Sequence, residues 1–204
     1  MYRRPSRTEL DVDSPGVPGS DEYGDDAFGY SLALGDIDRD GWADLVVGAP
    51  EYNDDARGRI TVIHGARSGW RTTGNYTFAQ NTKGIPGKAE RGDWFGGSLT
   101  LLDHNRDRRL DLTIGAPGEN KDSGMITTLP GSGKKFSTSK SRTFGLSKLR
   151  YRHPPKAEFG TPGALTLTRR QMASPGQSWR SICGRDGRGS GWRGRRGLGP
   201  SRRR

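Results

Sequence analysis

Apolar and polar residues alternate with a period of two through much of the first 130 positions. Phe28, Tyr30, Leu32 and Leu34 are separated by small or polar residues, the pattern of a strand with one apolar face. A polar loop follows, then the apolar run Leu45-Val46-Val47, which Gly48-Ala49-Pro50 ends. Ile60 to Ile63 predicts a third strand and Tyr76-Thr77-Phe78 a fourth. The helical spacing i, i+3, i+4 fits nowhere between residues 20 and 130.

The pattern repeats. DAFGYSLALGDIDRDGWADLVVGAP (26–50) aligns without a gap on DWFGGSLTLLDHNRDRRLDLTIGAP (93–117), with 14 of 25 positions identical. GRITVIHG (58–65) pairs with GMITTLPG (124–131), and GVPGSDEYGD (16–25) with GIPGKAERGD (84–93). PKAEFG (155–160) starts a third cycle, so Phe-Gly pairs stand at 28, 95 and 159. Four short antiparallel strands per period make a propeller blade, and a blade buries its faces only by stacking on neighbours.

Phe28-Gly29 and Gly48-Ala49-Pro50 bracket DIDRDGWADL, and Phe95-Gly96 and Gly115-Ala116-Pro117 bracket DHNRDRRLDL. In this order and spacing the segments resemble the FG-GAP repeat of integrin α-subunit β-propellers and bacterial integrin-like proteins, over roughly residues 8–160. The resemblance implies a seven-bladed propeller with calcium in hairpin loops on one face, acting in protein interaction or cell adhesion outside the cell or at its surface. Such repeats also accompany secreted esterase and phospholipase-like enzymes, as accessory propellers.

The fold expected is therefore all-β, with two complete blades. Residues 1–15 should supply the outer strand of a preceding blade, 16–82 and 83–150 two FG-GAP blades, 151–168 the start of an incomplete third, and 169–204 a disordered Arg/Gly-rich tail. Two blades are too few to close a ring, so the chain reads as a truncated fragment. The uncovered blade faces imply self-association, or docking of a protein ligand or further blades.

The acidic loops carry the candidate chemistry. Asp36, Asp38, Asp40 and Asp44 stand at loop positions 1, 3, 5 and 9, where alternating carboxylates converge hard oxygens on one point, as calcium requires. Gly41 permits the left-handed backbone that turns the Trp42 carbonyl inward as a further ligand. In the second loop Asp103, Asn105, Asp107 and Asp111 hold the same positions and Arg109 offers its carbonyl. There one carboxylate has become an amide, three arginines crowd the site, and Arg108 replaces the glycine, where a positive φ opposes a Cβ. The second loop should bind calcium more loosely. The competing reading of both loops is an acidic surface turn.

Charge changes the picture only at the end of the chain. The net +11 divides into +1 for residues 1–160 (23 Lys+Arg, 22 Asp+Glu) and +10 for residues 161–204 (11 Arg, Asp186). Arginine and glycine make up 20 of those last 44 residues, a composition that cannot bury a core. It is either a genuine basic tail or an out-of-frame reading of a GC-rich gene, which would make the product non-functional. The break inside a repeat favours the second. Nucleic acid is expected as a partner only non-specifically through this tail, where Trp179 and Trp192 can stack single-stranded bases.

No apolar run approaches the length of a membrane span, and the N-terminus carries no signal-peptide core. The single Cys183 excludes an internal disulfide. Neither HExxH nor GxSxG occurs, and His64, read as a turn residue after a strand, joins no triad; the chain is not expected to be an enzyme. Arg91-Gly92-Asp93 is read as lead-in framework, because Gly24-Asp25 fills the same repeat slot.

Overall fold

The computed structural model describes residues 9–19, 26–149 and 160–161. Strands β1 (Ser31–Gly35), β2 (Asp44–Ala49) and β3 (Arg59–Ile63) come first. A small hairpin, β4 (Gly65–Ala66) with β5 (Gly69–Trp70), then leads to β6 (Tyr76–Phe78). These form one antiparallel sheet in the order β1-β2-β3-β6. The second repeat gives β7 (Ser98–Leu102), β8 (Asp111–Ala116), β9 (Met125–Leu129) and β10 (Arg142–Gly145), an antiparallel sheet in which each strand pairs with its sequence neighbour. Both are four-stranded blades of the propeller type, as the period-two patterning predicts.

Among the described residues up to 130, helical turns are confined to Tyr52–Ala56 and Glu119–Asp122, and the latter carries positive φ at Asn120 and Lys121. Of residues 1–15, expected to contain an outer strand, 9–15 are described and hold no strand. They turn instead, with the Asp11 amide donating to Ser14 Oγ and Ser14 Oγ donating back to Asp11 Oδ1. The expected tail at 169–204, and the expected third blade apart from residues 160–161, lie outside the described residues.

Register explains where the core sits. Val46 pairs with Val62, and Gly48 with Ile60 and then Phe78, so these residues share one face of the first blade. Leu101, Leu112 and Leu129 align across the second sheet, as do Leu99 and Ile114. The two faces meet in one cluster that includes Val46, Ile60, Val62, Phe78, Phe95, Leu112, Ile114 and Leu129. Each such fully buried aliphatic or aromatic side chain contributes roughly 1.5–3 kcal/mol. On the opposite face of β1, Tyr30, Leu32 and Leu34 are about 60% exposed (61%, 58% and 64%). Their counterparts Leu99 and Leu101 are half-buried against the core.

A repeated polar contact locks the blades. Ser31 Oγ donates to the carbonyl of Gly96 at 2.6 Å, and Ser98 Oγ donates to the carbonyl of Gly160 at 2.7 Å. Each serine follows a Phe-Gly pair, and each acceptor is the glycine of the next Phe-Gly pair. Gly96 and Gly160 have φ of 97° and 102°, a region costly for a side chain. The glycine of Gly-Ala-Pro permits the approach. A Cβ on Gly48 would overlap the Gly96 carbonyl and the Ser31 hydroxyl, and one on Gly115 would overlap Gly160 and Ser98.

A second junction is a carboxyl pair. Asp93 and Glu119 are buried and hydrogen-bonded to each other, and Gln80 from the first repeat donates Nε2 to Glu119 Oε2 at 2.7 Å. Burial, reinforced by the Asp93 charge, pushes the Glu119 carboxyl up to about 7, and burial raises Asp93 as well. Asp93 Oδ2 also accepts the Glu90 amide at 2.6 Å. In the gapless alignment Asp26, one residue past the Asp25 of the lead-in, stands opposite Asp93, and it instead faces Arg59 at 3.7 Å, with Arg59 stacked over Tyr52.

Two outcomes follow from these seams. Gly48→Ala and Gly115→Ala should each destabilise the fold by roughly 1–3 kcal/mol through overpacking, and Ser31→Ala by about 1 kcal/mol, measured by urea denaturation. Unchanged midpoints in both glycine variants would detach the seam from stability. Because Glu119 binds its proton more tightly folded than unfolded, stability should fall as pH rises from about 4.5 to about 7. Glu119→Gln should flatten that slope, and an identical slope in the variant would assign it to another group.

Candidate metal loops

Each acidic loop joins the first two strands of its blade, β1 to β2 and β7 to β8. The first folds around its own carboxylates. Asp36 Oδ1 accepts the Asp40 amide at 3.1 Å and Asp36 Oδ2 the Gly41 amide at 3.0 Å. Asp38 Oδ1 also accepts the Asp40 amide, and Asp40 Oδ1 accepts the Trp42 amide at 2.8 Å. Arg39 and Gly41 adopt positive φ, 62° and 91°, which winds the turn tightly enough to bring these groups together. Carboxylate oxygens of Asp36, Asp38 and Asp40 lie within 4.8 Å of one another, the donor type and convergence that a hard divalent cation needs.

The second loop reproduces this wiring. The Asp107 and Arg108 amides donate to Asp103 Oδ1 and Oδ2 at 3.1 and 2.9 Å. Asn105 Oδ1 accepts the Asp107 amide and Asp107 Oδ1 accepts the Arg109 amide. The left-handed positions recur at Arg106 (φ 64°) and Arg108 (φ 68°). The strain expected at Arg108 is thus accepted, at a cost on the order of 1 kcal/mol, because two amide bonds to Asp103 and Asp107 hold the turn. This loop opens on a cleft of about 860 Å3 lined by Asp107 and Arg109 on one side and by Ser137, Lys140 and Arg142 on the other.

The ninth-position carboxylates are buried. Asp44 Oδ2 accepts the Ile37 amide at 2.8 Å and Asp44 Oδ1 the Gly65 amide at 2.9 Å. Asp111 accepts the His104 amide on Oδ2 and the Gly131 amide on Oδ1, both at 3.0 Å. Each therefore ties its acidic loop to the end of the third strand of its blade.

Two side chains at the first loop carry no sequence signal. The Arg71 guanidinium, from the segment before β6, reaches Asp38 Oδ2 at 3.1 Å and also contacts Asp40. The Trp42 amide, with the Arg71 charge adding to it, holds the Asp40 carboxyl below its ordinary range. His64, which follows β3 as its sequence position implies, is buried rather than a surface turn residue. Its Nδ1 lies 3.2 Å from Asp44 Oδ1 and 3.9 Å from Asp38 Oδ2. Among the described residues no helix is long and apolar enough to cross a membrane.

Residues 28–63, from the first Phe-Gly through the acidic loop to the end of β3, match the FG-GAP repeat. Over 127 residues the chain is 36% identical to integrin alpha-X of Homo sapiens, covering 60% of this chain and 10% of that one. Integrin alpha pat-2 of Caenorhabditis elegans is 36% identical over 99 residues, 48% of this chain and 7% of its own length. Phosphatidylinositol-glycan-specific phospholipase D of Rattus norvegicus is 34% identical over 103 residues, 49% of this chain and 12% of its own. The chain spans about a tenth of the length of these relatives.

Proposed function

We propose that this chain is a calcium-binding, integrin-like β-propeller module for protein interaction or cell adhesion, working outside the cell or at its surface. The observation that carries the reading is the recurrence, in both blades, of one cage of carboxylates and amides at the same place between the first two strands. Asp36, Asp38, Asp40 and Asp44 with the Trp42 carbonyl are the proposed first ligand set. Asp103, Asn105, Asp107 and Asp111 with the Arg109 carbonyl are the second. The ion's role is structural: it neutralises the clustered carboxylates and stiffens the hairpin. No chemical step is assigned to these residues.

A second reading makes the chain an accessory propeller of a secreted esterase or phospholipase-like enzyme. The similarity to the phospholipase D supports it. Under that reading the loops keep the same structural role and catalysis belongs to another domain. The proposed partner surface is the exposed Tyr30, Leu32 and Leu34 face, taken by a protein ligand, a further blade or a second copy. The half-burial of the equivalent Leu99 and Leu101 supports this use.

Calcium should raise the melting temperature, since an ion held only by the folded state stabilises it by about 2.7 kcal/mol at a hundredfold excess over Kd. Asp40→Ala should remove most of the gain. With four carboxylates against three, the first loop should bind more tightly, although calcium must displace Arg71 there; Arg71→Gln should tighten it further. No heat on calorimetric titration and no thermal shift would overturn the calcium assignment. Sedimentation should show concentration-dependent association that Leu32→Ser with Leu34→Ser reduces. A compact wild-type monomer at high concentration would remove the partner role from that face.

A further inference from the structure

We propose that Asp38, Asp44 and His64 form a site for a zinc-class divalent transition metal, sharing two carboxylates with the first calcium loop and confined to the first blade. Suitable donor atoms of the three residues lie within 4.8 Å of one another. Unlike Asp40, whose side chain is 27% exposed, these side chains are removed from water, at 7%, 0% and 4% exposure. One nitrogen and two oxygens are the mixed donor set that zinc, cobalt and manganese accept and that calcium disfavours.

The distances fit. Two donors each about 2.1 Å from a shared ion lie roughly 3.0 Å apart at a right angle and roughly 3.4 Å apart at the tetrahedral angle. The His64 Nδ1 to Asp44 Oδ1 separation of 3.2 Å falls between these values. The 3.9 Å from Nδ1 to Asp38 Oδ2 needs a wider angle or a small rotation of Asp38 toward the imidazole. That same oxygen accepts Arg71 Nη1 at 3.1 Å, so the ion must displace the guanidinium or share the oxygen with it.

The surroundings hold the ligands in place. Asp44 is oriented by the Ile37 and Gly65 amides, one on each oxygen. The His64 backbone is fixed at both ends, its amide donating to Asn75 Oδ1 at 2.8 Å and its carbonyl accepting the Arg71 amide at 2.8 Å. These contacts fix the Asp44 carboxylate directly and the His64 ring only through its backbone. His64 Nδ1 itself is buried with no hydrogen bond of acceptable geometry, although it points between two carboxylates.

The second blade supplies an internal control. By the repeat alignment Pro130 stands in the place of His64. Asp111 nonetheless makes the same pair of amide bonds there, to His104 and Gly131. The imidazole is therefore not required to satisfy the ninth carboxylate or to close the hairpin, although its ring does pack against Tyr76 at 6.1 Å between centroids.

The test is calorimetric titration of the calcium-free full chain with zinc. One zinc site is expected, weakened at least tenfold by His64→Gln and retained in His104→Gln. Equal zinc binding by His64→Gln and wild type, or none by wild type, would overturn the site and leave an imidazole–carboxylate contact only. Wild-type protein loaded with cobalt provides a readout that depends on no variant. A visible spectrum of nitrogen-and-oxygen ligation in a low-coordinate site supports the proposal, and the spectrum of hydrated cobalt counts against it. Asp38 and Asp44 also belong to the calcium ligand set, so the two ions should compete, and the calcium thermal shift is measured in parallel. Zinc lost with calcium retained sinks this inference alone; calcium lost with zinc retained sinks only the calcium reading.

Discussion

The architecture depends on how closely the backbone of one repeat can approach the next. Phe-Gly and Gly-Ala-Pro, far apart within a repeat, are two halves of one contact across repeats. Gly48 lacks a Cβ so that the Gly96 carbonyl can reach the Ser31 hydroxyl, and Gly115, Gly160 and Ser98 restate the arrangement. The close approach also lets Phe95 become fully buried among Ile60, Val46 and Val62. Close packing of this kind leaves little room for an added methyl group.

The same economy governs the acidic loops. Their carboxylates serve first as acceptors for backbone amides, which is why the turns hold their shape through their own hydrogen bonds. Asp44 and Asp111 go furthest, binding a loop amide on one oxygen and an amide beyond the third strand on the other. Buried charge is tolerable when hydrogen-bonded in this way. The first loop adds Arg71 and His64, so its charge balance depends on side chains that come from outside the loop.

Much of this was legible in the chain. Alternation of apolar residues located the first strand of each blade because its successive side chains point to opposite faces, and the gapless repeat placed both loops in equivalent hairpins. Ser31 and Ser98 were identical in that alignment, yet their role needed the third dimension, since each acceptor lies more than 60 positions away. Arg71 and His64 gave no pattern because they reach the loop through strand register rather than spacing. The pairing of Asp93 with Glu119 was hidden too, for in the first repeat the corresponding Asp26 faces a cation. Arg108 adopts the positive φ that its loop position demands, held there by the surrounding amide bonds.

The serine-to-glycine joint has a direction. Its donor lies on one face of a blade and its acceptor belongs to the following repeat, so the two sides of the seam are different surfaces. Two copies related by a twofold axis would set hydroxyl against hydroxyl and carbonyl against carbonyl, and neither bond could form. Only head-to-tail stacking preserves the joint, and such heterologous contacts either close into a ring or run on as an open array. The seam that holds one blade to the next therefore also carries a polarity, and any assembly that reuses it must grow one way.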